Sequence, residues 1–138
     1  MNNKMIDLYP LILEALNNNM TFKFPVNGTS MRPLLKSGDA VTLDKALDLK
    51  VGDIVLFRRD NGAFVLHRIR KIKDNKYDIV GDHQTGIEKV RDDQIIAKVI
   101  SYSKKGKEKE HNLKNFKYKI YKFFVKSKLV RYMHAHLS

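Results

Sequence analysis

The 138 residues amount to one domain's worth of chain, 43% hydrophobic and 30% charged, which excludes wholesale disorder and low-complexity repeats. With no cysteine, disulfide scaffolds, thiolate metal sites and cysteine nucleophiles are excluded, and the composition implies neither metal nor cofactor. The net charge of +12 is uneven: residues 104–138 hold 11 basic and 2 acidic side chains, a local +9 that leaves only +3 on the first 103 residues.

In chain order, residues 4–19 predict a short helix, with Ile6, Tyr9, Ile12, Leu13 and Leu16 at helical spacing, Pro10 in its early part and Asn17-Asn18-Asn19 as its stop. Residues 20–103 predict a β domain. A first strand over 20–26 alternates through Thr21, Phe22, Lys23 and Phe24 and runs into the turn Asn27-Gly28-Thr29-Ser30. Further strands are expected at 40–43, 54–59, 64–73, 77–80 and 95–102. Asn61-Gly62 predicts a type I′ hairpin joining 54–59 to 64–73. Gly38-Asp39, Gly52-Asp53 and Gly81-Asp82 each sit at a strand edge, where aspartate bonds a nearby amide.

Residues 104–110 read as a charged linker. Residues 112–134 read as a basic amphipathic helix, with Leu113, Phe116, Ile120, Phe123 and Phe124 on one face and Lys119, Lys122 and Lys126 away from it. That face either packs on the β body or lies on an anionic membrane surface. Nucleic acid is the least favoured partner, because no sequence-reading module accompanies the interleaved Tyr118, Tyr121 and Tyr132. The longest apolar run near the N-terminus, Leu8 to Leu13, is closed off by Asp7 and Glu14. A spanning helix needs roughly 18 apolar residues. No transmembrane segment or export signal is read, and the expected location is the cytoplasm, peripheral to the membrane if the tail binds lipid.

Two residues invite chemistry. Ser30 follows a strand, on a bend opened by Gly28 and continued by Met31-Arg32-Pro33, so its hydroxyl stands at a fixed corner. His67 lies in the strand Phe64-Val65-Leu66-His67-Arg68-Ile69, where alternation puts Val65, His67 and Ile69 on one face and Phe64, Leu66 and Arg68 on the other. A neutral imidazole beside a hydroxyl is a competent general base near neutral pH. A guanidinium is not, so Arg68 cannot replace it.

Five stretches resemble, in family order, the successive boxes of type I signal peptidases and the wider signal peptidase/LexA-type superfamily: Gly28 to Leu35, Ser37 to Val41, Val51 to Phe57, Val65 to Ile69 and Gly81-Asp82. The resemblance implies a mainly β (α+β) fold, a coiled antiparallel sheet, and a serine endopeptidase that cleaves leader, signal-type or precursor peptides. It implies Ser30 as nucleophile. Histidine at position 67, where typical bacterial members carry lysine, is similar to the Ser/His branch. The branch's acid is implied at Asp82, in the Gly-Asp box, with Glu88 as the alternative; either would orient His67. The Ser30 amide is implied as one oxyanion donor, and Gly28 leaves the second unassigned.

Typical members carry a membrane anchor just before the serine box, where this chain has the short charged helix. Two other readings stand beside the peptidase. The self-cleaving repressors share the scaffold but use lysine and carry a DNA-binding module. A non-catalytic binding module would instead use its basic tail at an anionic membrane surface. With an unperturbed imidazole, activity would fall below about pH 6.5.

Overall fold

The computed structural model describes residues 4–113, a largely antiparallel β structure with one helix. The helix α1 spans Lys4–Asn17. It ends on the asparagine run: Asn19 takes φ 58°, the Asn19 amide bonds Leu16 O, and the Met20 amide reaches back to Ala15 O at 2.9 Å. This is a Schellman closure with asparagine in the left-handed position. Met5, Ile12 and Leu16 are buried and Leu8 and Tyr9 pack beside them, whereas Ile6 and Leu13 face solvent. The core-facing stripe is therefore rotated from the expected one, and the helix continues through Pro10.

The strands are β1 (Phe22–Pro25), β2 (Ala40–Lys45), β3 (Ile54–Arg58), β4 (Phe64–Lys73), β5 (Lys76–Val80), β6 (Glu88–Arg91), β7 (Ile95–Ser103) and β8 (His111–Asn112). Their order across the sheet is β1-β2-β7-β3-β4-β5-β6, with β8 pairing β7. All pairs are antiparallel. β6 and β8 are additions to the elements read from sequence. Both are short and mostly polar, and they pair as edge segments, so no alternating apolar pattern announced them.

The hairpin at Asn61-Gly62 joins β3 to β4, as expected, but with different turn chemistry. Only Gly62 of the two has positive φ (92°), and its amide bonds Arg59 O at 2.8 Å. This is a three-residue loop with a glycine bulge, and the type I′ geometry lies instead at Asp74 (φ 52°) and Asn75 (φ 59°) between β4 and β5. The expected linker 104–110 is the loop of the β7–β8 hairpin, because Tyr102 pairs with His111 and Ser101 with Asn112. The expected basic helix begins inside β8 at Asn112, and its remaining part, from 114 on, lies outside the described residues.

Both faces of the central strands are covered, so β3 and the first half of β4 are buried but for Arg58, and apolar but for Arg58, His67 and Arg68. Ile54, Leu56, Phe64 and Leu66 join α1, β1, β2 and the segment Met31–Leu35 in one core. Val55, Phe57, Val65 and Ile69 join Tyr77, Ile79 and Val90 in a second core on the other face. Burying one such Leu, Ile, Val or Phe contributes about 1.5–3 kcal/mol. His67 falls on the face of the second core and Arg68 on the face of the first, the alternation expected from the strand.

Candidate active site

Ser30 sits on the segment between β1 and β2, which is held by buried side chains rather than by strand pairing. Met31, Leu34 and Leu35 are buried in the first core, the Leu35 amide bonds Met31 O at 2.9 Å, and the Arg32 amide bonds Thr29 O at 3.1 Å. Met31 is thus a packing residue, as its position implied. Buried Asp39 secures the far end. Its carboxylate accepts the amides of Lys36 (2.8 Å) and Lys105 (2.9 Å) and the Lys104 ammonium (3.0 Å), and Lys104 also bonds Leu34 O. Burial alone would raise the Asp39 pKa, but these donors outweigh it and hold the carboxyl below its ordinary range.

The Gly-Asp box lies directly against the serine. The His83 amide donates to Ser30 O at 2.7 Å and the Asp82 amide approaches Met31 Sδ at 3.5 Å. A Cβ placed on Gly81 would stand 2.6 Å from Ser30 O and 3.0 Å from Ser30 Cβ, so only glycine allows this approach. The Ser30 amide itself donates to no backbone carbonyl among the described residues.

Ser30 and His67 line one cleft of about 250 Å³, together with Asn27, Thr29, Phe64 and Gln84 among others, and with Arg59 in its wall. His67 is 3% exposed and meets the edge of Phe57 at 6.1 Å between ring centroids. Burial lowers its pKa from 6.5 to about 4. Glu88 and Asp82 pull the value back up, and Arg59 pushes it down. The ring is therefore a neutral base well below pH 6.5, the value expected of an unperturbed imidazole. Its Nδ1 is buried with no hydrogen-bond partner among the described residues.

Asp82, the acid expected to orient that nitrogen, is engaged elsewhere. Both carboxylate oxygens meet Arg68, Oδ1 to Nε and Oδ2 to Nη2 at 2.7 Å each, with side chains 3% and 1% exposed, and Arg68 Nη1 also donates to Gly52 O at 2.8 Å. Because His67 and Arg68 are neighbours on a strand, the carboxylate that binds one faces away from the other. Glu88 opens β6 and is paired with Arg59, through Nε to Oε2 at 2.9 Å and through Nη2 to Oε1. Of the two acids its charge acts more strongly on His67. It does not bond the ring here.

Sequence reasoning missed Arg59, Asn27 and Gln84 as cleft residues. Arg59 read as the end of a strand, and Gln84 lies within a stretch with no periodic pattern. Their convergence is a product of the β3–β4 turn and the box loop folding over the serine segment, and no local spacing encodes it. Among the described residues no three His, Asp or Glu side chains gather as metal ligands, and no helix is long and apolar enough to cross a membrane.

A search of curated proteins finds no match to the chain. Residues 2–100 match the family model described as Peptidase S24-like, which takes in non-catalytic members as well as serine peptidases. With the antiparallel sheet in place and that match spanning most of its length, the chain belongs to the Peptidase S24-like family, within the LexA/signal peptidase superfamily.

Proposed function

We propose that the protein is a serine endopeptidase that cuts a leader, signal-type or precursor peptide, with Ser30 as nucleophile and His67 as general base. The observation that carries this reading is the single cleft whose walls include both side chains. The likeness of the Val65-to-Ile69 box to the Ser/His branch of the signal peptidases supports the choice of base.

In this reading His67, neutral at working pH, takes the Ser30 proton as the oxygen attacks a peptide carbonyl. The developing oxyanion is met by the uncommitted Ser30 amide. The imidazolium then gives its proton to the leaving amine. In the second half, His67 deprotonates a water that attacks the acyl-enzyme ester, and Ser30 recovers its proton. Glu88 is the carboxylate whose charge stabilises the imidazolium, and Asp82 acts at one remove by clamping Arg68 beneath the strand that carries the base.

The test is a panel of precursor peptides incubated with the protein and with its Ser30→Ala variant, read by mass spectrometry. Cleavage by the unaltered chain and none by Ser30→Ala or His67→Ala is expected, with far-UV circular dichroism unchanged. Equal cleavage by either variant rules the pair out.

A further inference from the structure

We infer that Arg59 makes the cleft selective for peptides carrying an acidic side chain near the bond to be cut. This subsite rests on the reading of Ser30 and His67 as the reacting pair, since it is placed by its position beside them. Among the described residues Arg59 is the one that lines the cleft with a formal charge at neutral pH, because His67 is neutral there and the remaining walls are apolar, hydroxyl or amide. Its partner Glu88 does not line the cleft. The pair therefore presents its positive member to an incoming peptide and keeps its negative member behind.

The guanidinium has an edge to spare. Glu88 takes Nε and Nη2, Nη1 has no partner among the described residues, and the side chain is 40% exposed. A guanidinium carries five donors in a planar fork, so a second carboxylate binds without displacing the first. Glu88 also fixes the fork in place, so little rotamer freedom is lost when a substrate carboxylate arrives.

The positive surface continues past Arg59. The same residue lines an adjoining depression of about 440 Å³ with Arg58 and Arg91. There the Arg58 guanidinium lies over the rings of Tyr9 and Phe64, 5.4 and 4.8 Å from their centroids, with no carboxylate partner among the described residues. In the same depression Arg91 is taken by Asp60 and Asp93, which leaves Arg58 and the open edge of Arg59 as its cations without a further carboxylate among the described residues. Arg59 is thus shared by the cleft that holds Ser30 and the depression that holds Arg58.

The experiment uses short fluorescent peptides that differ only by Asp against Asn at successive positions. Their binding to the Ser30→Ala chain is read by anisotropy, and their turnover by the unaltered chain is measured separately. At one or two adjacent positions the Asp peptide should bind about tenfold tighter than its Asn counterpart, the worth of one charge-assisted hydrogen bond in a confined site. In the Ser30→Ala background, Arg59→Gln should bring that ratio near one and Arg59→Lys should keep part of it. Equal binding of Asp and Asn peptides at every position, no binding of either, or a ratio that Arg59→Gln and Arg59→Lys both leave unchanged overturns the inference. If the ratio behaves as expected while the unaltered chain cleaves nothing, the acidic subsite stands and the catalytic reading of Ser30 falls.

Discussion

At the scale of single residues, the buried imidazole ties chemistry to stability. A histidine whose folded pKa lies below its unfolded value binds its proton first in the unfolded chain, so stability falls as pH drops from about 6.5 to about 4 and levels off below that. The cost across that window is about 3 kcal/mol. Urea unfolding of the wild type should show this loss, and a His67→Phe variant, which keeps an aromatic body there and has no proton to bind, should show a flatter profile. The rate has the same origin: the acid limb of kcat/KM should lie near pH 4, and an inflection at 6.5 would mean that the ring is solvated during turnover.

The two carboxylates should separate cleanly. Asp82→Ala removes the acid from a buried guanidinium and should cost about 3–5 kcal/mol in urea unfolding. Glu88→Gln removes a partly exposed ion pair worth about 0–1 kcal/mol, yet it also removes the charge that raises the His67 pKa. Its pH profile should therefore shift to still lower pH while its unfolding midpoint hardly moves. A large unfolding effect with an unmoved profile would make Glu88 a structural residue only.

At the scale of elements, the site is a contact between two loops and one strand, and Gly81 is where they touch. Gly81→Ala forces its methyl against the Ser30 carbonyl and should cost about 1–3 kcal/mol; with Ser30 as the proposed nucleophile, kcat should fall more than affinity, because Ser30 is displaced while the cleft walls stay. Peptide binding to Gly81→Ala by anisotropy, set beside turnover, checks this. The strands and hairpins were legible because their signals are local: alternation through Phe22 and Phe24, the apolar runs at 54 and 64, the glycine of the β3–β4 turn. Ser30 and His67 were legible as candidates through their boxes. The pairing of Asp82 with Arg68 was not, since a Gly-Asp dipeptide looks alike whether the acid binds an amide, as Asp53 does with Lys50, or a distant guanidinium. The rotated face of α1 was misread for a similar reason. Met5 and Ile6 are equally apolar, and only the shape of the core beneath them decides which is covered.

At the scale of the whole molecule, the charge is concentrated where the sheet ends. Residues 114–138 hold seven basic side chains and no acid, and β8 closes the described sheet at Asn112. A chain ending at 113 keeps every described strand, so it should retain its unfolding midpoint; the proposal that the basic tail meets an anionic surface predicts salt-sensitive binding to anionic vesicles for the full chain and none for the shortened one. Cosedimentation of both chains with phosphatidylserine vesicles measures the difference, and equal binding, or none by either chain, overturns that proposal.

Ser30 and His67, the proposed reacting pair, also stand on ground of unequal firmness. His67 rides a strand paired with β3 through its own position and with β5 from Arg68 onward, and it is buried. Ser30 rides a stretch with no ladder at all, pinned by a few core side chains and the Asp39 clasp. Amide protons that bond within the β3–β4 ladder and at Arg68 and Ile69 should be among the last to exchange with deuterated solvent, and those of 27–32 among the first. On gentle warming the proposed peptidase activity would therefore fall silent while the sheet still stood, and on cooling it would recover without refolding.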